Sequence, residues 1–200
     1  MKQKWSKLFH MEGLFDTDGQ RLYLTTDERL AFLEAAAKAS REERSFCEVL
    51  HFTGCRISEG LALTPALVDM DNKALTFQTL KKRRKDVYRA IPVPAQLLDT
   101  LDLVHGIRDG QTRRNQPLWS WSRTTAWRKV RKVMEAAGIS EGPHASPKGL
   151  RHGYGVAAIT AGVPLNMLSK WMGHSKIETT AIYANALGEE QRQIAERMWQ

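Results

Sequence analysis

The sequence predicts an α+β fold, mainly helical, with a small antiparallel β-hairpin or three-stranded sheet. Two observations predict it. Apolar residues recur at helical spacing through most of the 200-residue chain, and only residues 74–93 alternate as strands do. A composition of 42% hydrophobic and 26% charged residues suits one domain with a real core. The expected division is a lead-in segment at 1–24, the principal domain at 25–187 and a final helix at 188–200.

The elements follow in order. Trp5, Phe9, Leu14 and Phe15 stand among lysines ahead of a polar turn at 16–20. Thr25 precedes Glu28 by three positions, a capping-box pattern, and Leu30, Leu33, Ala36 and Ala37 then mark a helix. A second helix carries Phe46, Val49 and Leu50 towards Thr53 and Gly54. A third runs from Ile57 towards Leu63 and stops before Pro65, because the residue ahead of a proline is pushed out of the helical region. Arg56 lies at the junction. Strands are expected at 74–80 and 87–93, joined by a tip carrying Lys81, Lys82, Arg83, Arg84 and Lys85. Helices at 95–104 and 124–137 flank a loop at 106–116. The second of them shows Trp127, Val130, Val133 and Met134 on one face, and Arg123, Arg128, Lys129, Arg131 and Lys132 over the rest. Helical patterns resume at 150–161, 165–172, 177–183 and 189–199.

Thirty Lys and Arg against 22 Asp and Glu leave a formal charge of +8, which favours a polyanionic partner. With no secretory leader and no apolar run of membrane-spanning length, a reduced, cytoplasmic protein without membrane contact is expected. Cys47 and Cys55 then read as small buried hydrophobes rather than metal or redox groups.

Cutting a phosphodiester with a protein hydroxyl requires a nucleophile, cations on the non-bridging oxygens and a proton donor for the leaving sugar oxygen. Arginine suits the phosphate because its planar fork donates two parallel hydrogen bonds and keeps its charge. Singly, such residues are weak signals: an arginine at a helix end is more often a surface ion pair, and a helical tyrosine more often core. Three segments together are specific. TGCRISEGLAL (53–63), PKGLRHGYG (147–155) and WMGHSKIETTAIYAN (171–185) resemble the tyrosine recombinase, or phage integrase, family. That family places an Arg in T-G-x-R-x-S-E-x-L-x-L, then H-x-x-R-H, then G-H with a Tyr nine residues after the His. Arg56, Arg151, His152, Gly173, His174 and Tyr183 match over a resemblance covering roughly residues 25–190. Lys148 departs from it, standing where relatives usually have His.

The resemblance implies the family's catalytic fold and site-specific DNA recombination through a 3′-phosphotyrosyl bond. Arg56 and Arg151 would bind the scissile phosphate, His174 would hydrogen-bond it and Tyr183 would attack. Bond energy is conserved in that exchange, so neither a metal nor any other cofactor is expected. Glu59 matches an acidic position and would hold a catalytic cation in place, while His152 would be structural. The hairpin tip would supply the catalytic lysine, Lys81 first and Lys82 second. A lysine ordinarily titrates near about 10.4. Lys148 is therefore either a cation stabilising the phosphorane and phenolate, which is the preferred reading, or a neutral base with a depressed pKa. His144, seven residues before Arg151, is a less favoured substitute for the missing histidine.

Phosphate contacts are expected from Lys82, Arg83, Arg84, Lys85, Arg123, Arg128, Lys129, Arg131, Lys132 and Lys176. The partners implied are double-stranded DNA, further copies of the chain in a tetramer on paired sites, and accessory DNA-binding proteins. Leu187, Ile194, Met198 and Trp199 give the final helix an apolar face, to be passed to a neighbouring subunit or packed on its own domain. About 24 residues ahead of the principal domain are too few for the family's usual N-terminal DNA-clamping domain, so a compact type is expected. The competing classes are a DNA-binding regulator that has lost cleavage and a type IB topoisomerase-like enzyme.

Overall fold

In the computed structural model, which describes residues 13–78, 87–110, 112–139, 141–185, 192, 195, 196, 198 and 199, helices surround one small sheet. Helix α1 (Thr26–Ala37) starts at the expected capping box. Thr25 Oγ1 accepts from the Glu28 amide at 3.3 Å, and Glu28 Oε2 accepts from the Thr25 amide at 2.8 Å. Helix α2 (Arg41–Thr53) ends at Gly54, which is left-handed at φ 57°, and a Cβ there would lie 2.4 Å from the Tyr154 ring. Only glycine meets both demands. The chain then enters α3 (Ile57–Leu61) with Arg56 as the residue ahead of its first turn. This helix stops short of Leu63 because the Ala62 and Leu63 amides bond three residues back, tightening the last turn.

Of the two sheet alternatives, the three-stranded one is present. Strands β1 (Val68–Asp69), β2 (Ala74–Gln78) and β3 (Tyr88–Pro92) pair antiparallel in that order, with Leu75 opposite Ile91 and Phe77 opposite Arg89. Leu75, Phe77 and Ile91 are buried, and Arg89 shares their side of the sheet. The basic tip, Lys81 to Lys85, lies outside the described residues.

Helices α4 (Ala95–His105), α5 (Arg123–Ala136), α6 (Pro147–Thr160), α7 (Leu165–Met172) and α8 (Glu178–Ala181) follow, and a 3-10 turn at Ile182–Asn185 carries Tyr183. Helix α6 begins earlier than expected. Ser146 Oγ accepts from the Gly149 amide at 3.1 Å and Pro147 occupies the first helical position, so Lys148 falls in the opening turn. On α5, Val130, Val133 and Met134 are buried, while Trp127, on the same face, is 44% exposed. Residues 192, 195 and 196 of the expected final helix are helical; Leu187 and Ile194 lie outside the described residues.

Two apolar clusters result. The major one packs α1, α2, α4 and α5 against the sheet through residues such as Phe32, Phe46, Leu75, Leu97 and Met134. The minor one joins Leu14, Tyr23, Val156, Leu168, Met172 and Tyr183. Leu14 and Tyr23 come from the expected lead-in segment, so its described part packs with the rest. Cys47 and Cys55 are free and buried in the major cluster, and burial raises both thiols. No helix among the described residues is long and apolar enough to cross a membrane.

Candidate active site

A cavity of about 470 Å³ gathers side chains from distant segments: Arg56 at the α2–α3 junction, Arg123 and Trp127 on α5, Lys148, Arg151 and His152 on α6, then His174 and Tyr183. Among the described residues that line it there is no carboxylate, and the charged ones are cations, whose field attracts anions.

Arg151 is buried and held by the ends of two helices. Its Nη1 donates to the Gly54 carbonyl at 2.6 Å, and its Nη2 donates to the Met172 carbonyl at 2.7 Å and to His174 Nε2 at 3.0 Å. Carbonyls at helix C-termini lack intrahelical partners and carry partial negative charge, so they fix a cation without neutralising it. Burial, followed by the Arg56 charge, lowers the Arg151 pKa to about 10, which still leaves it charged at pH 7.

Arg56 is anchored differently. Its Nη1 donates to Glu59 Oε1 at 3.0 Å, its amide donates to Glu59 Oε2 at 2.8 Å, and its side chain stays 44% exposed. Glu59 therefore holds Arg56, as expected, and it also holds a second cation. Arg89 Nη2 donates to Glu59 Oε2 at 2.6 Å, while Arg89 Nε donates to the Trp171 carbonyl at 2.7 Å. Burial pushes the Glu59 carboxyl up, but Arg89 and Arg56 together hold it below the usual carboxylate range. Arg89 was missed in the sequence, although one signal was available: its parity with Ile91 puts a cation on the buried face of the strand.

His174 lies between Arg151 and Thr180, with Nδ1 2.8 Å from Thr180 Oγ1. Burial first, then Arg151 and Arg56, lower its pKa to about 4, so the ring is neutral at pH 7. Because the guanidinium can only donate, Nε2 is the acceptor and the proton sits on Nδ1, facing Thr180. Thr180, fully buried, is a second partner that the sequence did not single out.

Tyr183 is 1% exposed, its ring packed where a Cβ on Gly155 would come within 2.6 Å. Burial raises its pKa to about 12, against the pull of Arg151 and Arg56. Its hydroxyl lies 3.3 Å from His152 Nδ1.

Lys148 is exposed and lines the cavity, whereas His144 faces Glu28 at 3.4 Å and is not part of the lining. Of the expected phosphate contacts, Arg123 lines the cavity, and Arg128, Lys132 and Lys176 are exposed. Two others are held by partners within the chain. Lys129 Nζ pairs with Glu43 at 2.7 Å over the Trp121 ring, and Arg131 donates to the Ala145 carbonyl. Trp127 stands at the rim, where an aromatic face is open to a ligand.

This fold, a helical body with a three-stranded sheet, is that of DNA recombinase catalytic domains. The XerA recombinase structure superposes with a TM-score of 0.77 at 22% identity, over 90% of this chain and 65% of that one. The catalytic domain of bacteriophage HP1 integrase superposes at 0.63 and 19% identity, over 87% of this chain and 93% of that one. The phage integrase family profile matches residues 22–190, and the chain belongs to that family. Among relatives, the tyrosine recombinase XerD of Mycobacterium leprae is 32% identical over 92% of this chain, and that of Mycobacterium tuberculosis is 32% identical over 80%. The chain spans 66% and 55% of the lengths of these two proteins.

Proposed function

We propose that this chain cleaves and rejoins duplex DNA at specific sites through a covalent tyrosyl intermediate. The observation that carries this reading is the convergence of Arg56, Arg151, His174 and Tyr183 on one cation-lined cavity in a member of the phage integrase family. Tyr183 Oη attacks the phosphorus, the 5′ oxygen leaves with a proton from the hairpin lysine, Lys81 or Lys82, and a 3′-phosphotyrosyl bond remains. Arg56 and Arg151 donate to the non-bridging oxygens, with Glu59 orienting Arg56. To donate from Nε2, His174 must move its proton from Nδ1. A threonine hydroxyl both donates and accepts, so rotation of Thr180 permits that exchange. Lys148, at the mouth, adds positive charge against the phosphorane. Duplex DNA as partner is supported by the solved XerH recombinase bound to difH, which superposes at a TM-score of 0.71. Exchange between two sites would use a tetramer of this chain, with accessory proteins adding affinity.

The test is covalent trapping. Nicked duplexes with a randomised core are incubated with the protein, and a denaturing gel reads the protein–DNA adduct, whose captured sequences then define the site. The expected result is an adduct from the wild type and none from Tyr183→Phe. No adduct from the wild type anywhere in the library would leave a DNA-binding regulator. Equal relaxation of plasmids lacking the captured sequence would favour a type IB topoisomerase-like activity.

A further inference from the structure

We infer that His152 accepts the Tyr183 proton during cleavage and returns it during rejoining. The inference rests on the proposed tyrosyl chemistry and adds a catalytic residue to it. The geometry carries it. His152 Nδ1 lies 3.3 Å from the Tyr183 hydroxyl, and both residues line the one cavity.

The charged and titratable groups facing the pair are Lys148 and Arg151 on the same helix, Arg56 ahead of α3 and His174 after α7. Arg151 can only donate, and His174 Nε2 is already engaged by Arg151 Nη2 at 3.0 Å. The His152 Nδ1 lone pair is therefore the acceptor within reach of the hydroxyl, which places the ring's own proton on Nε2. Burial first, then Lys148 and Arg151, hold the His152 pKa down to about 4, so that lone pair is free at pH 7. A ring so weakly basic does not deprotonate a resting phenol raised to about 12. Two changes on DNA binding reverse the balance. The phosphate anion offsets the same two cations and raises the basicity of the ring, while bonding to phosphorus makes the phenol proton far more acidic.

The step balances. As the Oη–P bond forms and the P–O5′ bond breaks, the phenol proton passes to Nδ1, and O5′ takes a separate proton from the hairpin lysine. His152 is then a cation beside the phosphotyrosine. In rejoining, the 5′ hydroxyl attacks and gives its proton to the lysine, the Oη–P bond breaks, and Nδ1 returns its proton to Tyr183.

His152→Asn tests this, because its amide can keep a hydrogen bond near the Nδ1 position but cannot take a proton. Adduct formation in single turnover is measured from pH 6 to pH 9 on the duplex captured with wild-type protein, beside the melting temperature of the variant. The expected result is a loss of roughly 10²- to 10⁴-fold at pH 7. The variant's rate should climb with pH as hydroxide substitutes, while the wild-type rate stays level. A variant within threefold of wild type would overturn the inference. So would a slower variant with the wild-type profile, which would mark His152 as a positioning residue alone. Absence of any wild-type adduct would instead sink the recombinase reading beneath it. A readout independent of the variant's folding is the ¹⁵N histidine spectrum of the wild type. Nδ1 should appear as a bare acceptor that shifts in Tyr183→Phe, and a proton found on Nδ1 would overturn the assignment.

Discussion

Arg56 and Arg151 face one cavity but are held by opposite means. Arg56 leans on a carboxylate and remains 44% exposed, whereas Arg151 is buried and held by the carbonyls of Gly54 and Met172 together with His174. A carboxylate positions a cation while cancelling much of its field; carbonyl dipoles position it and leave the charge intact. Glu59 further divides its single charge between Arg56 and Arg89. The deep arginine thus supplies most of the field, and the outer one is the group an incoming anion meets first.

The largest test of this contrast is the pair Arg151→Ala and Arg56→Ala. Each should lower adduct formation on the order of a hundred- to a thousand-fold, as expected for loss of one transition-state donor. Only Arg151→Ala should also cost stability, because it strands two buried carbonyls at about 1–3 kcal/mol each. Arg56→Ala should change stability by less than about 1 kcal/mol. Urea unfolding of the two variants checks it, and equal losses would break the contrast.

Glu59→Gln comes next. It leaves Arg89 buried without a counter-charge, a change worth about 3 kcal/mol for a broken buried pair, and frees Arg56 from its anchor. Stability and adduct rate should both fall, with the rate recovering less than stability when osmolyte is added. An unchanged rate would mean that Arg56 is positioned without Glu59.

The last test concerns pH. Arg151's unneutralised charge helps burial to depress His152 and His174 to about 4, and burial does the same to His105, while His51 is lowered to about 3. Unfolded histidine titrates near about 6.5. Between those values the unfolded chain binds more protons, so stability rises with pH through that window. It is complete above about pH 6.5 and declines as the medium is acidified towards the folded values. Urea midpoints at pH 7.5, 6 and 5 should fall in that order, and a flat series would remove the histidines from the account.

Most of this architecture was legible in the chain. Thr25 and Glu28 announce the start of α1, Gly54 the end of α2, and residues 165–172 form a helix with the expected bounds. The partners of Arg89 and Lys129 were not legible, because they lie far off in the chain: Glu59 is 30 positions from Arg89 and Glu43 is 86 from Lys129. Trp127 shows the limit of periodicity, since helical spacing gives a residue's face but not whether another element covers it.

Spacing along the chain is enough to put Arg56 at a helix start, Arg151 and His152 on one helix and Tyr183 nine residues beyond His174, because backbone geometry repeats locally and side-chain direction follows it. Which carbonyl holds which arginine, and that Tyr183 meets His152, are settled by how the helices pack. The Gly54–Arg151 bond closes a separation of 97 residues, and only burial of the apolar faces between them brings its two ends together.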